Sequence, residues 1–233
     1  MSTLLLQLKA PMQSWGISAK FDSRSTEQVP SKSAVIGMIA GALGRKRNES
    51  IEDLNVLRFG VRVDREGTLL RDFQTAKNPN KKTSVYGKPG IYRDYLADAA
   101  FLVGLEGDEV LLETIAHALK HPVYPIFLGR RSCPPDGRVV LGIKSDTLIN
   151  ALKAEPWLVD HAEHDGKIRF VFDAAPDEEE SYILCDNAVS FDQNCRRFAF
   201  RRVCDIRDYT NHTIFAESER EPDTTHDPMA DLF

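Results

Sequence analysis

AAFLVGLEGDEVLLETIAHALKHP, residues 99–122, changes character half-way along, and that change decides the fold. Ala99–Leu105 is an unbroken apolar run of strand length. Asp108 then stands where a helix N-cap is expected, and Leu112, Ile115, Ala116 and Leu119 recur at the three- and four-residue spacing of one helix face, until Pro122 ends the pattern. The reading is a buried strand followed by an amphipathic helix. Upstream the same pair recurs. Leu4, Leu6 and Leu8 alternate through a strand at Thr3–Lys9, followed by a polar loop from Met12 to Val29. Pro30 and Ser31 open a helix through AVIGMIAGALG that Gly44 stops, apolar almost all round and with Gly37 and Gly41 four apart. Phe59, Val61 and Val63 mark a second strand, closed by the turn DREG. Residues 71–98 are a polar insertion, and Tyr124–Leu128 and Arg138–Ile143 each read as strand.

Strand, helix, strand, insertion, strand, helix, strand is an α+β order, that of a ferredoxin-like (RRM-like) βαββαβ palm whose central hairpin is enlarged into a thumb. The expected units are a palm over residues 1–143 with the thumb at about 71–98, a smaller β-rich C-terminal half over 144–216, and an acidic, flexible tail at 217–233. Within the second half, a short helix is expected near Ser145–Leu152 and a strand at Lys167–Phe172. Two or three short strands should follow, up to Asp205.

The formal charge of −5 conceals segregation. Residues 217–233 hold six acids and one base, which leaves 29 of each sign in the body. Asp177, Glu178, Glu179 and Glu180 form an acidic knot, and basic stretches lie at 71–93 and 196–207. Net charge alone therefore does not argue against nucleic acid. The chain has no apolar run long enough to span a membrane, and it reads as soluble, unexported and cytoplasmic. Cys133, Cys185, Cys195 and Cys204 show no CxxC spacing, so free thiols are expected, with no metal site and no cofactor.

APMQSWG (10–16), VPSKSAVIGMIAGALG (29–44), YRDYLADAAFLVGL (92–105) and YPIFLGRRSCPP (124–135), in this order and spacing, resemble the CasD subunits of type I-E Cascade, members of the RAMP superfamily. The resemblance covers residues 1–143 well and the rest loosely. It implies a palm and thumb that hold the 5′ handle of CRISPR RNA in antiviral defence, beside the backbone and large subunits, with target DNA reached indirectly through the complex.

Several residues suit such a role. Arg71, Lys77, Lys81, Lys82, Lys88 and Arg93, against the single acid Asp72 and with Tyr86 and Tyr92 among them, give the insertion the basic and aromatic character of a single-strand binder; a solvated loop kept soluble by its lysines is the alternative. Ser31, Lys32 and Ser33 at a helix start can seat a phosphate, or simply cap the helix. Arg130 and Arg131 follow Gly129, where the missing side chain admits another backbone, and can fork onto a phosphate or pair with acids of the body. Trp15, beside Met12, Gln13 and Ser14, can stack on a base or seal the end of a core. Arg196, Arg197, Arg201 and Arg202, with Phe198 and Phe200 between them, can line a partner subunit or RNA.

A non-catalytic subunit is expected. The alternative is a metal-independent endoribonuclease cutting CRISPR repeat RNA, for which Lys120, His121 and Tyr124 are the nearest approach to a catalytic cluster.

Overall fold

The computed structural model describes residues 1–17, 23–75, 91–159, 167–175 and 180–210. Its first half runs β1 (Ser2–Lys9), β2 (Met12–Gln13), β3 (Ser23–Arg24), α1 (Lys32–Ala42), α2 (Glu52–Asn55), β4 (Arg58–Arg65), β5 (Thr68–Gln74), β6 (Ile91–Ala97), β7 (Ala100–Gly107), α3 (Glu109–Lys120) and β8 (Val140–Lys144). The second half adds α4 (Leu148–Ala154), β9 (Lys167–Asp173), β10 (Tyr182–Ser190) and β11 (Arg197–Thr210). Seven strands form one antiparallel sheet in the order β10-β11-β9-β4-β7-β1-β8.

Side chains alternate across this sheet, so each strand serves two cores. Leu4, Leu6, Leu8, Phe59, Val61, Phe101 and Val103 face α1 and α3, whose Val35, Ile36, Ile39, Leu112 and Ile115 complete that layer. Leu5, Leu102, Phe170 and Phe172 face the other way, onto Leu148, Ala151 and Leu152 of α4. The LLL run of β1 is explained by this arrangement, since both of its faces are dry.

The helix α4 is held at both ends by charges of the sheet. Its first turn lacks a side-chain cap, and Glu106 of β7 accepts the Leu148 N–H instead. At its other end the fully buried Arg62 donates to the carbonyls of Leu152 at 2.6 Å and Pro156 at 2.8 Å, and to that of Glu155. Asp64 forks onto the same guanidinium at 2.7 and 2.9 Å, so the buried charge is paired and its donors are used. An acid at the N-terminus and a base at the C-terminus both favour the helix dipole. Gly104 makes the approach possible: a Cβ there would lie 2.6 Å from Leu148 Cδ1.

The strands after residue 143 do not build a separate sheet. β9 pairs with β4, so β9, β11 and β10 extend the sheet of β1, β4, β7 and β8 outward. They are also longer than the sequence suggests, nine residues in β10 and fourteen in β11. Tyr124–Leu128, expected as a strand, is irregular. Its backbone is used for docking instead: Leu128 O accepts the Ser14 N–H at 3.2 Å, and Leu128 N–H donates to Cys133 O at 2.7 Å.

β5 and β6 form the central hairpin, paired from Thr68↔Ala97 to Gln74↔Ile91. The other edge of β6 carries β2 and β3. The root of the expected thumb is therefore a small second sheet, anchored by the loop that follows β1. No helix among the described residues is long and apolar enough to cross a membrane. The four cysteines are free.

Candidate nucleic-acid interface

β6 has two faces because its side chains alternate. Arg93 and Tyr95 share one; Tyr92 and Asp94 share the other. On the first face, β3 lays Arg24 directly beside Arg93 in parallel register. The loop 128–134 then brings in Arg130, whose Nη2 donates to Arg24 O at 2.8 Å and whose guanidinium lies 4.5 Å from the centre of the Tyr95 ring. Arg131 follows it, exposed. Four arginines from three separate segments thus converge at the root of the hairpin.

Gly129 is what lets that loop close. It has φ +85, and a Cβ there would overlap the Ser14 carbonyl oxygen, so only glycine fits both the conformation and the space. Tyr95 is the buried hub. Burial pushes its phenol up, but hydrogen bonding with Arg130, Ser132 and Arg93, together with the positive charge of Arg130, outweighs this and holds it below the ordinary tyrosine range. Arg93 Nε and Arg130 Nη1 have no hydrogen-bond acceptor among the described residues. Both atoms are buried; the cluster's positive charge reaches solvent at Arg24 and Arg131, where it suits oxyanions.

On the second face, Arg71 of β5 forks onto Asp94 at 2.8 and 3.2 Å, and its guanidinium lies 5.9 Å from the Tyr92 ring. The Arg71 hydrogen bonds and charge hold the Asp94 carboxyl below the usual carboxylate range, with help from the Arg130 charge. Asp94 is therefore already engaged, while Asp72 stands across from Arg93 in the hairpin register.

The chain from residue 3 to residue 204 matches the family model Cas_Cas5d, described as CRISPR-associated protein (Cas_Cas5). The chain belongs to the Cas5 family. A curated relative, the CRISPR system Cascade subunit CasD of Escherichia coli (strain K12), is 31% identical over 158 residues, covering 60% of this chain and 70% of that protein. Two solved structures are also similar. One, a Cas protein, has 38% identity and a TM-score of 0.72, covering 89% of this chain and 95% of that one. The other, from a CRISPR RNA-guided surveillance complex, has 33% identity and a TM-score of 0.76, covering 91% and 92%.

Within this Cas5-family chain, the residues expected from sequence divide into three groups. Arg93, Arg130 and Arg131 lie together in the arginine cluster, and Tyr92 is exposed on the opposite face of the hairpin. Lys77, Lys81, Lys82, Tyr86 and Lys88 lie outside the described residues.

The third group has to be corrected, because its side chains are used inside the protein. Trp15 is fully buried, and its indole N–H donates to Gln13 Oε1 at 3.2 Å. Gln13 in turn donates to Ala99 O at 2.7 Å and Leu8 O at 3.2 Å, while the Ser14 hydroxyl donates to Asp94 O at 3.1 Å. Met12 is half-buried and packs against the core. Trp15 therefore seals the core end rather than offering a stacking face, and its neighbours hold it there.

The start of α1 is likewise closed. Ser31, Lys32 and Ser33 are buried, and the first helical N–H, that of Lys32, donates to Asp186 Oδ2 at 2.9 Å. Lys32 Nζ pairs with Asp173 at 3.0 Å, and Arg201 bridges Asp173 and Asp186 at 2.6 to 2.9 Å. The negative charge expected from a phosphate is supplied by carboxylates of β9 and β10. Arg201, expected on a partner-facing strand, belongs to this internal network, while Phe200 on the same strand is exposed.

Arg24, Phe73 and Tyr95 stand at the candidate interface without having been singled out from the sequence, whereas Arg71 belongs to the basic set of the insertion. The pattern YRDY held a signal for Tyr95, since alternation places it on the Arg93 face. Arg24 had none, because its partners are remote in sequence.

Proposed function

We propose that this chain is a non-catalytic CRISPR RNA-binding subunit of a type I-E Cascade surveillance complex, in which it grips the 5′ handle of the guide and caps the backbone filament. The observation that carries the reading is the convergence of Arg24, Arg93, Arg130 and Arg131 at the hairpin root. Arginine forks onto phosphate, and the exposed Arg24 and Arg131 are the members of the cluster open to a phosphodiester oxygen. The family, the CasD relative and the surveillance-complex structure support the same assembly and the same ligand class.

The strand order β8-β1-β7-β4, with α1 and α3 in the crossovers, supports reading the first half as a ferredoxin-like palm, with β5 and β6 as the root of its thumb. In this reading the palm sheet is a scaffold. Its faces are covered by α1, α3 and α4, so RNA meets the loops and hairpin beside it and not the sheet surface. Of the alternative's candidate cluster, the His121 ring lies 4.7 Å from that of His117, and Tyr124 is exposed in the loop beyond α3.

The test is binding of handle-bearing RNA across a salt series. Arg24 and Arg131 are exposed, so alanine at both leaves the fold intact. Each phosphate contact on a single strand contributes about −0.7 to the log-log salt slope, and the double variant is expected to flatten the slope by about 1.4. Unchanged affinity and slope would remove the arginine cluster from the interface. Discrete cleavage of repeat RNA in chelator would overturn the non-catalytic assignment.

A further inference from the structure

The hairpin face opposite the arginine cluster carries a different chemistry. Leu69, Arg71 and Phe73 of β5 stand across from Leu96, Asp94 and Tyr92 of β6. Phe73 is 54% exposed and Tyr92 47%, and their ring centroids are 5.4 Å apart. The interplanar angle of 49° keeps the two rings from covering each other, so aromatic surface remains for a third ring. Arg71 is fixed beside Tyr92 by its fork onto Asp94, which places a cation at the edge of the aromatic surface. Leu69, 60% exposed, continues the apolar strip toward the root.

Leaving two rings and a leucine in water forgoes the stabilisation that burial would give, at about 25 cal/mol per Å². Such a surface calls for a ligand. A planar, uncharged π system flanked by negative charge matches both the rings and the arginines, of which one lies on this face and four lie across the ribbon.

We propose that Phe73 and Tyr92, with Arg71 at their edge, form a stacking site for one unpaired nucleobase of the bound RNA. The site rests on the RNA-binding reading above and deepens it: arginines on one face of the hairpin take phosphates, and the rings on the other take a base. Recognition by stacking is tolerant of base identity, because every base presents a π face. The site fixes the path of the strand and leaves reading of base edges to other groups.

The experiment uses the full chain and handle RNA carrying 2-aminopurine at successive positions, with fluorescence anisotropy reporting binding and quenching reporting stacking. The wild type is expected to quench strongly at one position. Phe73→Leu and Tyr92→Leu keep apolar bulk on the strand but remove the ring; each is expected to abolish that quenching and to weaken binding by about fivefold to a hundredfold, with the salt slope unchanged. RNA bound normally by both variants, with quenching intact, would overturn the stacking site and leave the arginine interface standing. A wild-type chain that binds no RNA at low salt would overturn both.

Discussion

The Arg71–Asp94 pair shows what one residue does for the hairpin of β5 and β6. Asp94 is almost buried, and its carboxyl is held low first by hydrogen bonds from Arg71 and then by the charges of Arg71 and Arg130. Its folded pKa lies below the unfolded one, so the pair stabilises the hairpin root above the ordinary carboxylate range and ceases to do so as pH falls through the lowered value. Arg71 is well exposed, so the energy is modest and screened by salt. Arg71→Ala is expected to move the Asp94 titration upward toward 3.8, as followed by carboxyl carbon NMR, and to release Tyr92 from its neighbouring cation. An unmoved titration would show that burial and Arg130 alone set the carboxyl. Gly129 acts at the same scale, since its missing Cβ is what brings Arg130 to the hairpin.

Among the elements, α4 and the helix start of α1 show how the sheet uses charge. Arg62 satisfies Asp64 and three carbonyls at the end of α4 with no exposure to water. Arg62→Ala strands a buried carboxylate and frees the helix end; a loss of about 3–5 kcal/mol is expected in urea unfolding. Replacing Arg62 and Asp64 together by Met and Leu should cost much less, and equal losses in the single and double variants would contradict the pairing.

The elements of the first half were legible in the sequence because their signals are local. The β7–α3 run is contiguous, Asp108 does accept the Leu111 N–H, and both long helices fall where periodicity puts them. The closure of the α1 start was not legible. Asp186 lies 154 residues from Lys32, and no local pattern distinguishes a helix start awaiting a phosphate from one already met by a distant carboxylate. Arg130 was legible as a basic residue, but its neighbour Arg24 is 106 residues away. Trp15 was ambiguous for the same reason, since burial depends on what folds over it.

At the scale of the molecule, the described charges that hold the layers together and those of the arginine cluster are separate. Lys32, Arg62 and Arg201 are buried against acids and hold the layers together. Arg24, Arg93, Arg130 and Arg131 gather beside the β5–β6 hairpin, at a distance in sequence from the acidic residues at 217–233 that dominate the net charge. A chain with a formal charge of −5 can therefore present a basic surface. The most direct measurement is photo-crosslinking of the assembled particle with handle RNA carrying 4-thiouridine, with crosslinked peptides read by mass spectrometry. The account predicts crosslinks within residues 91–97 and 128–134. RNA joined to this chain exclusively through other segments, with both of those unmodified, would contradict it.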